Sequence, residues 1–157
     1  MLSEKKSKEL LYYLKLPRYI EERMLLLLRQ GKISKWFSGI GQEAISVGTT
    51  YALKENDYVL PMHRNLGVFT TRKMNLGKLF CQLFGKQEGF TNGRDRTFHF
   101  GSKSDRIIGM ISHLAAMLPV ANGYGLSYKL KNKKNVALAY IGDGATSCLL
   151  YTSPSPR

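Results

Sequence analysis

The strongest signal for chemistry in this sequence is an aspartate between two glycines, directly after an apolar stretch. Val136–Ile141 is apolar, and Gly142, Asp143 and Gly144 follow it. After a strand of a parallel sheet, glycines let backbone N–H groups approach a phosphate, and one carboxylate can hold a magnesium ion. The alternative is structural, with Asp143 as the N-cap of the next helix. Taken alone, the motif leaves both interpretations open.

Four more polar segments precede this turn and contain side chains able to bind anions or exchange protons. The guanidinium of Arg64 has a geometry suited to two phosphate oxygens at once, and its neighbour His63 can donate a hydrogen bond to phosphate. Without other motifs, this pair could equally be a surface pair after a strand that Pro61 ends. The four segments are Gly41–Ala44, Met62–Asn65, Gly93–His99 and Ile111–Leu114.

The elements that must position these segments are helices alternating with short apolar strands, a pattern that indicates an α/β layered domain with a parallel sheet. Pro17 is placed in the first turn of a helix, and Asn75 is a candidate N-cap. Residues 85–105 lack any period and are predicted to form a loop. The predicted helices are Pro17–Gly31, Gln42–Leu53, Asn75–Gly85 and Leu114–Leu130, and the predicted strands are Tyr58–Leu60, Ile107–Ile111 and Val136–Ile141, the last buried on both faces.

Composition excludes several classes of protein. The 157-residue chain is 43% hydrophobic and 22% charged, as expected of a globular protein. No apolar run approaches the roughly 20 residues that span a bilayer, and the N-terminus lacks the pattern of a secretory signal. Two cysteines allow one disulfide at most, which favours a reducing, cytoplasmic location.

The net charge of +13 raises the question of nucleic acid. The excess is spread thinly along the chain, with local clusters only at Lys5–Lys8 and Lys129–Lys134. Such dispersion argues against a nucleic-acid-binding face and favours a solvated surface, or a part of a protein that has been separated from an acidic partner. A basic nucleic-acid-binding module is kept as the alternative from another class.

The five polar segments occur in one order, and in that order the chain resembles the alpha subunit of the thiamine-diphosphate-dependent 2-oxo acid dehydrogenases, the first component of those complexes. It is most similar to the branched-chain, or 2-oxoisovalerate, type. The resemblance extends from about Leu14 to Ser147. It implies a thiamine-diphosphate-binding fold, with a parallel sheet and flanking helices, and it implies the cofactors thiamine diphosphate and Mg²⁺.

The resemblance also implies a set of cofactor-binding positions. Asp143 matches the family's magnesium ligand, and Arg64 and His63 match positions beside the diphosphate. Leu114 matches a bulky apolar residue that supports the bent form of thiamine, although it could equally be ordinary core. The implied cofactor-binding residues are His63, Arg64, Ser112, Leu114, Asp143, Gly144 and Ala145.

Two residues are expected on the substrate side. His99 ends a segment in which the family has a histidine next to an aromatic residue, and it is the candidate catalytic residue; a loop histidine capping a backbone carbonyl is the alternative. Phe37 aligns with a position that is His in pyruvate-specific relatives. An apolar ring there suits an aliphatic acyl chain, so a branched-chain substrate is favoured, with a pyruvate or acetoin dehydrogenase as the alternative. The other interpretation of Phe37 is that its ring serves only in packing.

The implied activity is oxidative decarboxylation of a 2-oxo acid with acyl transfer to a lipoyl group. The implied partners are a beta subunit, or a beta region of the same enzyme, and a lipoyl-bearing acyltransferase. The expected division is a polar, helical extension at 1–16, a partial cofactor-binding domain at 17–147 that is truncated after Gly144, and a non-native tail at 148–157. For the chain by itself, an inactive fragment is the favoured alternative.

Overall fold

The computed structural model describes residues 2–95 and 97–148 of the chain. In chain order the helices are α1 (Glu4–Arg29), α2 (Glu43–Ala52), α3 (Leu66–Thr71), α4 (Leu76–Leu83) and α5 (Met117–Leu130). Strand β1 (Tyr58–Leu60) lies between α2 and α3, strand β2 (Ala137–Ala139) follows α5, and a short 3₁₀ helix covers Asp143–Ser147. Except for Cys148, the tail expected at 148–157 lies outside the described residues.

Helix α1 begins at Glu4, so the prediction that this helix starts at Pro17 is wrong. The Ser3 side chain accepts a hydrogen bond from the Lys6 N–H and caps the first turn. Pro17 lies buried inside the helix. An interior proline costs about 3 kcal/mol or more because it removes one helical hydrogen bond; here its ring packs on the same buried face as Ile20 and Met24. The helix therefore crosses the boundary expected between residues 16 and 17.

Helices α2 and α3 pack against α1 and against each other, and α4 contributes Leu79 and Leu83 to the main hydrophobic core. Helices α2 and α4 confirm the predictions to within a few residues, and the Asn75 side chain accepts from the Lys78 N–H as the predicted N-cap. Helix α3 was not predicted. All its residues are buried, so its sequence has no polar face and no helical period. It places Phe69 against Phe98 and Phe100 in the main hydrophobic core.

The sheet in the described part of the chain consists of β1 and β2, which pair in parallel as predicted, with Val59 opposite Leu138. The expectation of a strand over Val136–Ile141 that is buried on both faces is wrong. Only Ala137–Ala139 pairs, all three residues are half-buried, and Val136 is 50% exposed. The reason is that, among the described residues, β2 is paired along one edge only.

The connection from α4 to α5 is irregular, as predicted for residues 85–105. The strand expected at Ile107–Ile111 is reduced to single bridges from Ile107 to Val59 and to Ser102. Helix α5 begins three residues after the predicted start at Leu114. No helix in the described ranges has the length and hydrophobicity needed to cross a membrane.

Candidate functional site

The candidate site lies where both strands end. Because β1 and β2 are parallel, the segments after Leu60 and after Ala139 leave the same edge of the sheet. Pocket walls at this edge come from Pro61–His63, Met110–Ala115 and Tyr140–Gly142, together with Ala145. They enclose a cavity of only about 70 Å³. The walls thus contain residues from three of the five sequence segments, namely Met62–Asn65, Ile111–Leu114 and the turn that begins at Gly142.

Asp143 is the first residue of the 3₁₀ helix, and the cap position is Gly142. The carboxylate of Asp143 is exposed, and no hydrogen bond or ion pair within the described ranges uses it. The alternative role as an N-cap is therefore not what the structure shows. Beside it, no heavy atom of the described residues lies within 4 Å of the position that a Cβ would take on Gly144. The backbone at this turn is accessible to a ligand.

Arg64 and His63 follow β1 at the same edge. Arg64 is exposed, and its Nη1 donates to the Ser38 carbonyl at 2.7 Å. His63 is half-buried, with Nδ1 2.9 Å from Met110 Sδ. Burial lowers the pKa of His63, and the nearby charges of His99, Arg64 and Lys35 lower that pKa further. The pair thus consists of an exposed guanidinium and an imidazole whose neutral form is favoured by its lowered pKa.

His99 is held by side chains and does not cap a backbone carbonyl. Its Nε2 lies 2.8 Å from the Ser112 hydroxyl, and its Nδ1 lies 3.2 Å from the Thr97 hydroxyl. Its ring packs against the ring of His63 with centroids 5.3 Å apart. These contacts bring three residues singled out in the sequence, His63, His99 and Ser112, into one group.

Leu114 lies in the irregular segment before α5 and lines the cavity. The side chain is 56% exposed, so Leu114 is not an ordinary core residue, which was the alternative to a role in supporting the cofactor. An exposed leucine at the mouth of a small cavity offers an apolar surface to a ligand or to a partner chain.

Phe37 packs against the imidazole of His63, with ring centroids 4.9 Å apart. The ammonium of Lys35 lies 4.7 Å from the Phe37 ring centroid, and the guanidinium carbon of Arg64 lies at 5.9 Å. The substrate-side candidate is therefore in contact with the candidates for phosphate binding. Its half-buried ring presents an apolar surface next to a neutral imidazole.

Glu21 holds the segment that contains Phe37, and sequence reasoning missed it. The side chain is only 2% exposed. One carboxylate oxygen accepts from Trp36 Nε1 at 2.7 Å and the other from the Gly39 N–H at 3.0 Å. Gly39 in turn lies so close to the Arg64 carbonyl that a Cβ would overlap it. The available signal was an acidic residue on the apolar face of α1, four residues after Pro17 and three before Met24.

Glu43, in the segment Gly41–Ala44, has a structural role in the described chain. Its carboxylate accepts from Arg18 Nε at 2.6 Å and from the Gly41 N–H at 2.9 Å. The hydrogen bond from Arg18 lowers the pKa of Glu43. These bonds fix the start of α2 to α1.

A metal-bound diphosphate needs oxygen ligands for its metal ion and hydrogen-bond donors for its phosphate oxygens. Within residues 2–95 and 97–148, no group of three or more His, Cys, Asp or Glu side chains could enclose a metal ion. Magnesium does not require such a cage, since it keeps several waters and binds through one or two carboxylates and phosphate oxygens. The exposed Asp143 carboxylate, the accessible turn at Gly144 and the cation of Arg64 fit that chemistry.

Comparison with known proteins identifies the family. The family described as "Dehydrogenase E1 component" matches residues 14–148. The chain is 37% identical over 119 residues to the 2-oxoisovalerate dehydrogenase subunit alpha 1, mitochondrial, of Arabidopsis thaliana, covering 76% of this chain and 25% of that protein. It is 35% identical over 148 residues to the 2-oxoisovalerate dehydrogenase subunit alpha of Bacillus subtilis, covering 93% and 45%. The chain thus spans less than half the length of these relatives.

The matched range includes every residue of the candidate site, from Phe37 to Ala145. The resemblance seen in the order of the five sequence segments is confirmed by these matches. The chain belongs to the dehydrogenase E1 component family.

Proposed function

We propose that this chain forms part of the alpha subunit of a thiamine-diphosphate-dependent 2-oxo acid dehydrogenase that favours branched-chain substrates. The observation that carries the proposal is the group of His63, His99 and Ser112 at the carboxyl edge of the parallel sheet, beside Gly142 and Ala145 of the turn that contains Asp143. Ligands of open α/β sheets bind at this edge. The names of the relatives in Arabidopsis thaliana and Bacillus subtilis support the choice of 2-oxoisovalerate as substrate.

In this proposal, Asp143 holds the magnesium ion of a metal-bound diphosphate, and the turn at Gly144 and Ala145 brings backbone groups to the phosphates. Arg64 offers a guanidinium that can donate two parallel hydrogen bonds to phosphate oxygens. When bound, thiamine diphosphate supplies the electron sink for loss of carbon dioxide. The protein would bind and orient the diphosphate and exclude water from the reacting end of the cofactor.

We assign His99 to the substrate side and keep His63 beside the diphosphate, with its ring packed against that of His99. Hydrogen bonds with the Ser112 and Thr97 hydroxyls engage both ring nitrogens of His99, so the orientation of its ring is set before a ligand arrives. Burial lowers the pKa of His63, which favours the neutral imidazole. Because Nδ1 contacts Met110 Sδ, Nε2 is the nitrogen that can donate or accept a proton. In this assignment the imidazole of His99 would orient a carboxylate or carbonyl oxygen of a 2-oxo acid.

The proposal requires a second chain or region. The cavity of about 70 Å³ is far below the roughly 300–1,000 Å³ of pockets that bind ligands of cofactor size. A beta subunit or beta region would complete the pocket over Leu114, whose side chain is open to solvent. A lipoyl-bearing acyltransferase would then accept the acyl group.

The first prediction concerns substrate preference. With its beta part, thiamine diphosphate and Mg²⁺, the enzyme is expected to have a higher kcat/KM for 2-oxoisovalerate than for pyruvate. Replacing Phe37 by His should reduce this preference about tenfold or more, because a polar ring beside His63 disfavours an aliphatic chain by about 1–3 kcal/mol. Steady-state kinetics with both substrates is the measurement.

The control for that substitution is Tyr19→His, since Tyr19 is an aromatic residue on α1 that is 63% exposed. It should leave the ratio of the two kcat/KM values unchanged. A wild-type enzyme that prefers pyruvate would contradict the branched-chain proposal and leave the family membership intact.

A second prediction concerns the 157-residue chain by itself. Because it encloses so small a cavity at the strand ends, thiamine diphosphate should give no magnesium-dependent rise in its thermal midpoint. Only binding to the native state raises the midpoint. Thermal unfolding with cofactor, in the presence of Mg²⁺ or of a chelator, provides the measurement, and a rise of several degrees that requires Mg²⁺ would show that this chain builds a complete site.

A further inference from the structure

A second pocket lies at the opposite edge of the sheet, where β1 and β2 begin. It is open, has a volume of about 440 Å³, and falls in the size range of small-molecule sites. Asn56 and Asn135, which precede the two strands, line this pocket. The Asn135 side-chain amide donates to the Asn56 carbonyl at 3.0 Å. The rest of its lining comes from Tyr58, Arg106, Tyr128, Lys133 and Lys134.

Arg106 is fixed in this pocket before any ligand binds. Its Nη1 donates to the Tyr58 hydroxyl at 3.1 Å and its Nη2 to Asn56 Oδ1 at 3.3 Å, while the guanidinium lies 5.4 Å from the Tyr58 ring centroid. Its backbone carbonyl accepts from the Val59 N–H at 3.0 Å. Arg106 also has a positive φ of 57°, a strained conformation for a non-glycine residue. The side-chain contacts therefore hold the guanidinium in one position. The backbone of Arg106 adopts an unfavourable conformation at the same residue.

The charge of the pocket is unbalanced. Arg106, Lys133 and Lys134 contribute three cations, and none of the described residues that line the pocket is a carboxylate. The ion pairs in residues 2–95 and 97–148 are Glu4–Lys8 and Arg18–Glu43, so none of the three cations is paired. The nearby Asp57 is buried, and its carboxylate already accepts from the N–H groups of Lys54 and Val136.

Tyr128 adds an unused donor. Its hydroxyl oxygen is buried and has no hydrogen-bond partner among residues 2–95 and 97–148. A buried hydroxyl without a partner is unfavourable, and burial accordingly raises the pKa of Tyr128. An anionic oxygen in the pocket would give this hydroxyl an acceptor.

We propose that Arg106, Tyr128, Lys133 and Lys134 form a binding site for the phosphate group of a small molecule, separate from the site at the strand ends. A phosphate dianion matches the arrangement because it offers several acceptor oxygens to donors that approach from different sides. Neither the proposed decarboxylation nor the proposed cofactor site uses this pocket, so either proposal can fail without the other.

The test is calorimetric titration of the 157-residue chain with inorganic phosphate, and separately with glycerol phosphate, in magnesium-free buffer. We expect saturable binding of one phosphate per chain and a much weaker response to acetate. Arg106→Gln should weaken phosphate binding about ten- to hundredfold, the range for a hydrogen bond to a charged group. The control Arg23→Gln, an exposed arginine of α1, should leave binding unchanged.

Tyr128→Phe provides a second, independent readout. Without phosphate, this variant should unfold at the same midpoint as the wild type or at a higher one, because it loses an unpaired buried hydroxyl. With phosphate, it should bind at least about threefold more weakly. Tighter binding of glycerol phosphate than of inorganic phosphate would identify an ester as the ligand class, and the reverse would identify the free ion.

Three results would overturn the proposal. The first is the absence of saturable binding. The second is equal affinity for acetate and phosphate, which would indicate a general cationic surface. The third is loss of binding in Arg64→Gln with retention in Arg106→Gln, which would place the phosphate at the other edge of the sheet.

Discussion

Replacing Asp143 by Ala in the enzyme assembled with its beta part is expected to abolish magnesium-dependent binding of thiamine diphosphate. The side chain is the exposed carboxylate at the start of the turn after β2, and no contact within the described ranges gives it a structural role. Its removal would leave charged phosphate oxygens without the cation that neutralises them. We expect affinity to fall by about a hundredfold or more, because loss of the metal removes at least two contacts between charged groups, and such contacts contribute about 1.5–3 kcal/mol each.

Two companion variants make this result specific. Arg64→Ala should weaken cofactor binding by roughly ten- to hundredfold without abolishing it, because the metal contact remains. Glu88→Ala removes an exposed carboxylate from the loop after α4 and should have no effect. Calorimetric titration of the cofactor with and without Mg²⁺ is the measurement. Wild-type affinity in Asp143→Ala would exclude the aspartate as the metal ligand.

Replacing Glu21 by Ala should destabilise the protein more than any other single change considered for this chain. The substitution would leave two buried donors without an acceptor, namely the indole N–H of Trp36 and the backbone N–H of Gly39. Each unsatisfied donor costs about 1–3 kcal/mol, so we expect a loss of about 3 kcal/mol and a fall in Tm of roughly 10 °C. Thermal or denaturant unfolding, with Glu22→Ala as the control, would measure it.

The control is well matched because Glu22 is the next residue of α1 and is exposed; surface changes of this kind usually fall within about 0.5 kcal/mol. Glu21→Gln retains one acceptor oxygen and should lie between the two. A Glu21→Ala variant as stable as the wild type would show that the segment holding Phe37 is fixed by other contacts.

The parts of the fold that could be predicted are those specified by local sequence. Helix α4 follows from its apolar spacing and from the Asn75 cap, and β1 follows from three apolar residues between a turn and Pro61. The start of α1 could not be predicted because proline is typical of the first turn of a helix, whereas Pro17 lies inside α1 with its ring buried. Helix α3 was missed because it is buried all round.

Much of the candidate site could also be predicted, since motif order places His63, Ser112 and Asp143 after strands or in loops. What could not be predicted are the contacts between segments far apart in the chain. The bond from His99 to Ser112 joins residues 13 apart, and the bonds from Glu21 join α1 to residues 15 and 18 positions later. The exposure of Leu114 and the half-buried state of β2 likewise depend on which elements pack beside them.

The central claim is that the residues at the strand ends serve a thiamine-diphosphate-dependent 2-oxo acid dehydrogenase. The most direct measurement is release of carbon dioxide from 2-oxoisovalerate by the enzyme assembled with its beta part, after removal of cofactor and metal and stepwise addition of each. With a lipoyl group supplied as the oxidising acyl acceptor throughout, our account predicts no turnover with either Mg²⁺ or thiamine diphosphate alone and full turnover with both. Turnover that persists without added cofactor or metal, or no turnover of any 2-oxo acid when both are present, would contradict it.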